Sequence, residues 1–180
     1  MSSYDQVREQ YKPTHIRYLI IAESQPPSPH IQSSRQFYYA DRIRKDDRLF
    51  TNTMRALYPE YADTPEPDLE AQKEKLLRRF QADGWYMIES LETSLKHEVT
   101  KKQRQILIAE NLPRLIQRVK SLADEHTKVI LIKSNVFVMA AEPLREAGLN
   151  VLNKELLDYP GHFNQRAYRE KLAALAGIKH

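Results

Sequence analysis

The chain has 180 residues, of which 41% are hydrophobic and none is cysteine, and its formal net charge is +4. This length suits one domain, residues 1–180, with a sizeable core. Without cysteine there can be no disulfide, thiolate catalysis, thiolate zinc site or cysteine-held iron–sulfur cluster, and a reducing, cytoplasmic setting is expected. No apolar run approaches the roughly 20 residues of a membrane helix, and the first residues lack the features of a secretory signal. The positive net charge slightly favours polyanionic partners.

From the amino terminus, the chain predicts a short helix or lead-in over residues 1–15 and a strand over 16–22. The strand is apolar without alternation, as in strands buried on both faces, and the prolines after it cannot continue a sheet. Apolar residues at helical spacing predict helices over 49–57 and 69–82, joined by a proline-rich loop. Gly84 is expected to end the second of these helices in the C′ position.

Three further strands are predicted in the second half of the chain, at 85–91, 128–133 and 149–152. Helices alternate with them, at 101–124, 137–147 and 164–176, and the first of these is expected to break at Pro113. This alternation predicts the α/β class, as a three-layer α/β/α sandwich around a central, mostly parallel four-stranded sheet. The four glycines form neither a phosphate-binding loop nor a dinucleotide-binding motif.

Polar side chains follow three of the predicted strands and the last strand's connection. They are Glu23, Ser24 and Gln25; Glu89 and Ser90; Lys133, Ser134 and Asn135; and the segment 158–166. Because parallel strands end at the same edge of a sheet, these groups are expected to converge on one cleft, where open α/β sheets place their ligands.

The segment 35–50 mixes aromatic rings with arginine and lysine. Rings that stack on bases, beside cations that neutralise phosphates, are typical of nucleic-acid sites. Tyr38 and Tyr39 are the candidates for stacking, and Arg42 and Arg44 are the candidates for phosphate contacts. Tyr38 and Tyr39 cannot both be buried if this segment is extended.

In the order of its motifs the chain resembles the uracil-DNA glycosylase superfamily over roughly residues 16–175. The sequence Ala-Glu-Ser-Gln-Pro at 22–26 is similar to the family's first motif, which follows a strand and ends in proline. The strand at 84–89 starts with glycine and ends, as in the family, in a polar residue that recognises the base. The other similar segments are 36–39, 49–57, 128–133 and 159–166. The resemblance implies a uracil-DNA glycosylase-like fold and hydrolysis of the N-glycosidic bond of a damaged or non-standard base in DNA.

Cleaving a base–sugar bond passes through an oxocarbenium-like cation. A carboxylate such as Glu23 can orient water and offset that charge, and His162 or Tyr159 can stabilise the oxygen of the departing base. The resemblance places Ser24 or Gln25 at the family's water-activating position. The assigned residues are, for catalysis, Glu23, Ser24 and His162; for the base, Gln25, Tyr38, Tyr39, Glu89 and Tyr159; and for the phosphates, Arg42, Arg44, Arg166 and Arg169. Neither a cofactor nor a metal site is expected.

Each assignment has a structural alternative. Glu23 can brace the proline loop, Glu89 can pair with an arginine, and His162 can be a solvated turn residue. Lys133 is expected mainly at the surface, with a smaller chance of lining the cleft. Two other functions remain open: a non-catalytic nucleic-acid or nucleotide binding module, and a hydrolase of an unrelated small molecule. The target base and the oligomeric state are open as well.

Overall fold

Four parallel strands form one sheet. The structure is a computed structural model that describes residues 3–26, 37–40, 47–95 and 98–178. In spatial order β2-β1-β3-β4, the strands are β1 (Tyr18–Ser24), β2 (Trp85–Leu91), β3 (Lys128–Leu131) and β4 (Asn150–Val151). The predicted α/β class is confirmed, and the sheet is parallel throughout the described residues.

Helices alternate with these strands along the chain. They are α1 (Ser3–Glu9), α2 (Arg48–Leu57), α3 (Glu66–Ala71), α4 (Lys73–Ala82), α5 (Lys101–Leu122), α6 (Ser134–Glu146) and α7 (Gln165–Ala176). Helix α5 packs against α6, and α2 packs against α7, which is consistent with helix layers on the two faces of the sheet. In the part of the chain described, no helix is long and apolar enough to cross a lipid bilayer.

The sheet forms the centre of the core because its strands are apolar on both faces. Leu19, Ile20 and Ile21 of β1 are fully buried, and all seven residues of β2 are buried. Gly84, just before β2, has a φ of +81°, and a Cβ there would lie 2.8 Å from Cγ of Arg17. This position therefore requires glycine, and the predicted C′ role of Gly84 is confirmed.

Two predicted helices differ from the observed ones. The helix predicted over 69–82 is two helices, α3 and α4, because the chain leaves the helical conformation at Gln72. Helix α3 also begins before 69, with Pro67 in its first turn, where a missing N–H breaks no helical hydrogen bond. The break predicted at Pro113 is wrong: α5 is continuous, because buried Ile108 and Leu115 hold its two halves against the core.

The strand boundaries shift in a way that matters for the cleft. Strand β1 starts at Tyr18 and continues to Ser24, so Glu23 lies inside the strand. Ala22 of β1 is aligned with Glu89 of β2. Strand β3 ends at Leu131, and the chain then turns into α6 through Lys133.

Candidate functional site

The carboxyl ends of β1, β2 and β3 border one cavity with a volume of ≈ 380 Å³. The chain passes from β1 to β2, on one side of β1, and later returns to β3, on the other side of β1. Open α/β sheets place ligands where the strand order reverses in this way. The cavity is lined by Ala22, Glu23, Ser24, Pro26, Tyr38, Arg48, Leu49, Met87, Glu89, Ile132, Lys133, Tyr159 and His162.

Glu23 lies buried in the cavity wall and accepts three hydrogen bonds. Nζ of Lys133 lies 2.5 Å and a guanidinium nitrogen of Arg104 lies 2.9 Å from Oε2, and Nδ2 of Asn135 lies 2.7 Å from Oε1. Burial raises the pKa of Glu23, but hydrogen bonds from Lys133 and Asn135 and the nearby cations outweigh burial, so the pKa lies below its usual value. Two cations around one carboxylate give this side of the cavity a net positive charge.

Lys133 has an unusual backbone conformation for a residue with a side chain. Its φ is 83° and its ψ is 140°, and no other non-glycine residue in the described ranges has a positive φ. Such a conformation costs about 1–3 kcal/mol and is frequent at functional sites. The turn directs the ammonium group to Glu23, so Lys133 lines the cavity, while its side chain remains 32% exposed.

Glu89 lies in the wall on the opposite side of β1 from Lys133 and is 7% exposed. Arg8 of α1 donates a short hydrogen bond to Oε2 of Glu89, and Arg118 of α5 donates to its backbone carbonyl oxygen. Burial raises the pKa of Glu89, although the guanidinium groups of Arg8 and Arg118 oppose the rise. Asp5 in turn holds Arg8 at 2.6 Å, so the carboxylate of Glu89 has a fixed orientation.

Tyr38 and Tyr39 are both buried, because residues 37–40 form a turn and are not extended. Tyr38 lines the cavity, and burial raises its pKa well above the usual value. Tyr39 does not line the cavity: its hydroxyl accepts a 2.7 Å hydrogen bond from the backbone N–H of Met87, on the outer edge of β2. Tyr39 therefore covers a sheet edge, and we do not assign it to a ligand.

Tyr159 and His162 come from the loop that precedes α7 and line the mouth of the cavity. Asn164 braces this loop, because its Oδ1 accepts from the N–H of Gly161 at 2.7 Å and its Nδ2 donates to the carbonyl of Tyr159 at 2.8 Å. Phe163, next to His162, is fully exposed. The loop therefore presents aromatic rings beside the cavity.

Arg48 lines the cavity from the first turn of α2. The preceding residue, Asp47, fixes this turn: its side chain accepts from the N–H of Phe50 at 3.3 Å and pairs with Lys73 at 2.9 Å. Both Asp47 and Lys73 are buried. Burial raises the pKa of Asp47, against the opposing charge of Lys73.

Several of the assigned residues lie elsewhere. Gln25 is buried beside α1, where its amide is best oriented to donate to the carbonyl of Glu92 at 2.9 Å and to accept from Arg8 at 3.3 Å. Arg166 is exposed and pairs with Glu170 on the surface of α7. Arg169, also on α7, does not line the cavity. Arg42 and Arg44 lie outside the described residues.

Four contributors were not assigned from the sequence: Arg8, Arg48, Arg104 and Asn135. Arg48 belongs to the basic cluster of the 35–50 segment and Asn135 follows a strand, so the sequence offered a reason to consider both for the site. Nothing in the sequence pairs Arg8 with Glu89 or Arg104 with Glu23, because each arginine is 81 positions from its glutamate.

In the described ranges, no three histidine, aspartate or glutamate side chains are grouped as a metal ion would require. Comparisons of the chain with protein-family models, with curated proteins and with solved structures gave no match. The chemistry of the cavity therefore has to be inferred from its own groups: two carboxylates, two cations, three hydroxyl groups, an imidazole and an apolar wall.

Proposed function

We propose that this cleft binds one nucleotide unit of a nucleic-acid strand, with the base in the cavity and a phosphate on the cationic side. The observation that supports the proposal most strongly is that an apolar wall, a carboxylate and two cations line the same cavity. Its ≈ 380 Å³ lies at the lower end of the range for small-molecule sites, which suits a ligand of this size.

The apolar part of the lining suits the flat faces of a base. The side chains of Met87, Ile132 and Leu49 and the ring of Tyr38 contribute to it. Burying a base against such groups removes apolar surface from water. Arg48 and Lys133 can contact the phosphate, as cations do in nucleic-acid complexes.

The exposed loop favours a strand as the ligand over a free nucleotide. Phe163 is fully exposed and Tyr159 is 41% exposed, next to the mouth of the cavity. Exposed aromatic rings stack on unpaired bases in proteins that bind single strands. We propose that a base next to the bound nucleotide stacks on this loop.

Hydrolysis of an N-glycosidic bond is the second candidate function. It is favoured by the position of Glu23, whose carboxylate lies in the wall beside Ser24 and opens to the same cavity as His162. An ionised carboxylate can stabilise an oxocarbenium-like sugar and orient water, and the resemblance to uracil-DNA glycosylases supports this reaction. Lys133 and Arg104 offset part of the negative charge of Glu23, so binding is better supported than cleavage.

Fluorescence anisotropy with a labelled single-stranded oligonucleotide, at several salt concentrations, tests the binding proposal. Lys133→Ala and Arg48→Ala should each lower the affinity about tenfold and reduce the salt slope by about one. Lys120→Ala is the matched control, because Lys120 is exposed in the last turn of α5, away from the cavity. Equal losses in all three variants would mean that the strand binds the general surface and would exclude the cleft.

Glu23→Gln separates binding from catalysis. It removes a negative charge from the cleft, so the strand should bind at least as tightly as to the wild type. Formation of abasic sites should be scored on strands and duplexes that carry uracil, hypoxanthine, xanthine or alkylated bases. Turnover that Glu23→Gln abolishes would support a glycosylase, and binding without turnover would support a binding module. If no strand binds, a small-molecule ligand becomes the better hypothesis.

A further inference from the structure

We infer that Glu89 makes the cleft selective for bases with an exocyclic amino group, such as cytosine and adenine. This inference rests on the proposed nucleotide binding and adds the chemical class of the base. It depends on three observations: where the carboxylate lies, what holds it, and where the cations are.

Glu89 is a wall residue of the cavity and not a surface charge. It belongs to the same face of β2 as Met87, which also lines the cavity, because side chains two apart in a strand share a face. The aligned residue on β1 is Ala22, whose small side chain leaves space in front of the carboxylate. A ligand in the cavity therefore meets Glu89 directly.

The protein prevents Glu89 from turning away. Arg8 holds one carboxylate oxygen, Oε2, and the guanidinium of Arg8 lies 5.5 Å from the centre of the Phe37 ring. Arg118 donates to the main-chain oxygen of Glu89 and pairs with Glu92 at 2.8 Å. Among the described residues Arg8 is the one side chain that donates to this carboxylate, and the main-chain N–H of Glu89 itself also contacts it. A carboxylate has about four acceptor sites, so Glu89 can accept a further hydrogen bond from the ligand.

In the ionised form that pairs with Arg8, the carboxylate of Glu89 accepts hydrogen bonds and has no proton to donate. A base that turns an amino group towards Glu89 gains a charge-assisted hydrogen bond. A base with a carbonyl group at the same place turns an oxygen towards an oxygen, and both buried acceptors are left unpaired. Binding sites discriminate strongly when the wrong ligand leaves buried polar groups unsatisfied.

Lys133 lies at the other end of the cavity. Glu89 lies on β2 and Lys133 follows β3, with β1 between them, so the two backbones are roughly 10 Å apart at two strand spacings. A ligand that donates hydrogen bonds at one end and carries negative charge at the other matches this arrangement. An amino-bearing nucleotide has both properties, whereas a cationic ligand would be repelled by Lys133 and Arg48.

The test uses one host strand of abasic spacers with a single central base. Cytosine and uracil form one matched pair, and adenine and hypoxanthine form the other, because each pair exchanges an amino group for a carbonyl. By anisotropy, the wild type should bind the amino member of each pair about tenfold more tightly. Glu89→Gln should bring the two members of each pair within about threefold, because an amide can donate as well as accept.

Glu89→Gln removes one of the two carboxylates that pair with Arg8 and can destabilise the fold. A second variant, Glu89→Gln combined with Arg8→Met, removes both charges, and thermal melts identify which variants are folded. The wild-type comparison needs no variant at all. Equal binding of the paired bases, or a preference for uracil and hypoxanthine, would overturn the inference about Glu89. The proposed nucleotide binding would still stand if Lys133→Ala lowered the affinity. If the wild type binds none of these strands, both the proposed nucleotide binding and this inference are wrong.

Discussion

Two neighbouring strands end in the same cleft, and each places a glutamate in its wall, but the two carboxylates have different surroundings. Glu23 on β1 accepts from two cations and an amide, and its pKa is lowered. Glu89 on β2 is held through one oxygen by Arg8, and burial raises its pKa. The first is a carboxylate surrounded by excess positive charge, and the second is an oriented acceptor that can take a further hydrogen bond.

This difference shows that residue type and strand position do not determine what a carboxylate does. Lys133 and Asn135 reach Glu23 because the β3–α6 turn lies beside the end of β1. Only α1 supplies a guanidinium to the side chain of Glu89 within the described residues. The two sides of the cleft are therefore suited to opposite ends of one ligand.

The largest effect is expected when Glu89 is replaced by alanine. Its partner Arg8 is 7% exposed, and breaking a buried ion pair by removing one member costs about 3–5 kcal/mol. Urea unfolding should show this loss in the free energy of unfolding. Glu60→Ala is the control, because Glu60 pairs with Arg79 at the surface, where its side chain is 51% exposed, and should cost less than about 1 kcal/mol.

A second variant shows whether this loss comes from the orphaned charge. Replacing both partners, with Glu89→Leu and Arg8→Met, should recover much of the stability, because well-packed apolar residues often substitute for a buried pair without loss. If Glu89→Ala costs no more than Glu60→Ala, then Asp5 alone compensates the charge of Arg8 and Glu89 is not held as described.

The next effect concerns the other side of the cleft, through Arg104. Its side chain is 11% exposed and pairs with buried Glu23, so Arg104→Ala should cost about 1.5–3 kcal/mol, the range for a hydrogen bond to a charged group. Arg114 provides a control on the same helix, because it pairs with Glu92 and is 73% exposed. Arg114→Ala should cost less than about 1 kcal/mol, and equal losses would show that Arg104 contributes no more than a surface arginine.

These partners also show how far sequence reasoning extends. The bounds of β2 could be predicted, because an apolar run after a helix-ending glycine has few other solutions. The convergence of Glu23 and Glu89 followed from parallel pairing alone. Arg8 could not be predicted as the partner of Glu89, because that contact depends on how α1 packs against the end of the sheet.

Local backbone conformation is a second feature that the sequence did not determine. Tyr38 and Tyr39 are both buried because the chain turns there, and alternation along an extended segment does not apply. Lys133 would be expected at the surface if it continued β3, but its positive φ redirects it. A single sequence does not reliably predict a tight turn that lacks glycine, or a positive φ at a lysine.

A smaller effect isolates this conformation of Lys133. Both Lys133→Gly and Lys133→Ala remove the ion pair with Glu23, so their difference reports the backbone alone. Glycine should be more stable than alanine by about 1–2 kcal/mol, because a positive φ is unfavourable for residues with a Cβ. Chemical denaturation measures this difference, and Gly148, at a φ of +86°, is a reference, because Gly148→Ala should show a penalty of similar size. Equal stabilities of the two Lys133 variants would mean that this turn relaxes.

The smallest effect is a pair of opposite slopes with pH. The pKa of Glu23 is lowered in the folded state, so its stabilising contribution is complete above the unfolded pKa of about 4.3 and is lost as pH falls through the lower folded value. The pKa of Glu89 is raised, so its contribution is present below about 4.3 and declines as pH rises through the higher folded value.

Urea unfolding between pH 3 and 7 (roughly the range over which both glutamates titrate) can separate these slopes. The difference in unfolding free energy between wild type and Glu23→Gln should rise with pH in the acidic half of this range. The difference between wild type and Glu89→Gln should fall with pH from about 4.3 upward. Two slopes of the same sign would show that both carboxylates have the same electrostatic surroundings. The proposed orientation puts the phosphate of the nucleotide on the side of Glu23 and Lys133 and the amino group of its base at Glu89. It depends on different electrostatic surroundings at the two sides, so two slopes of the same sign would also contradict this orientation.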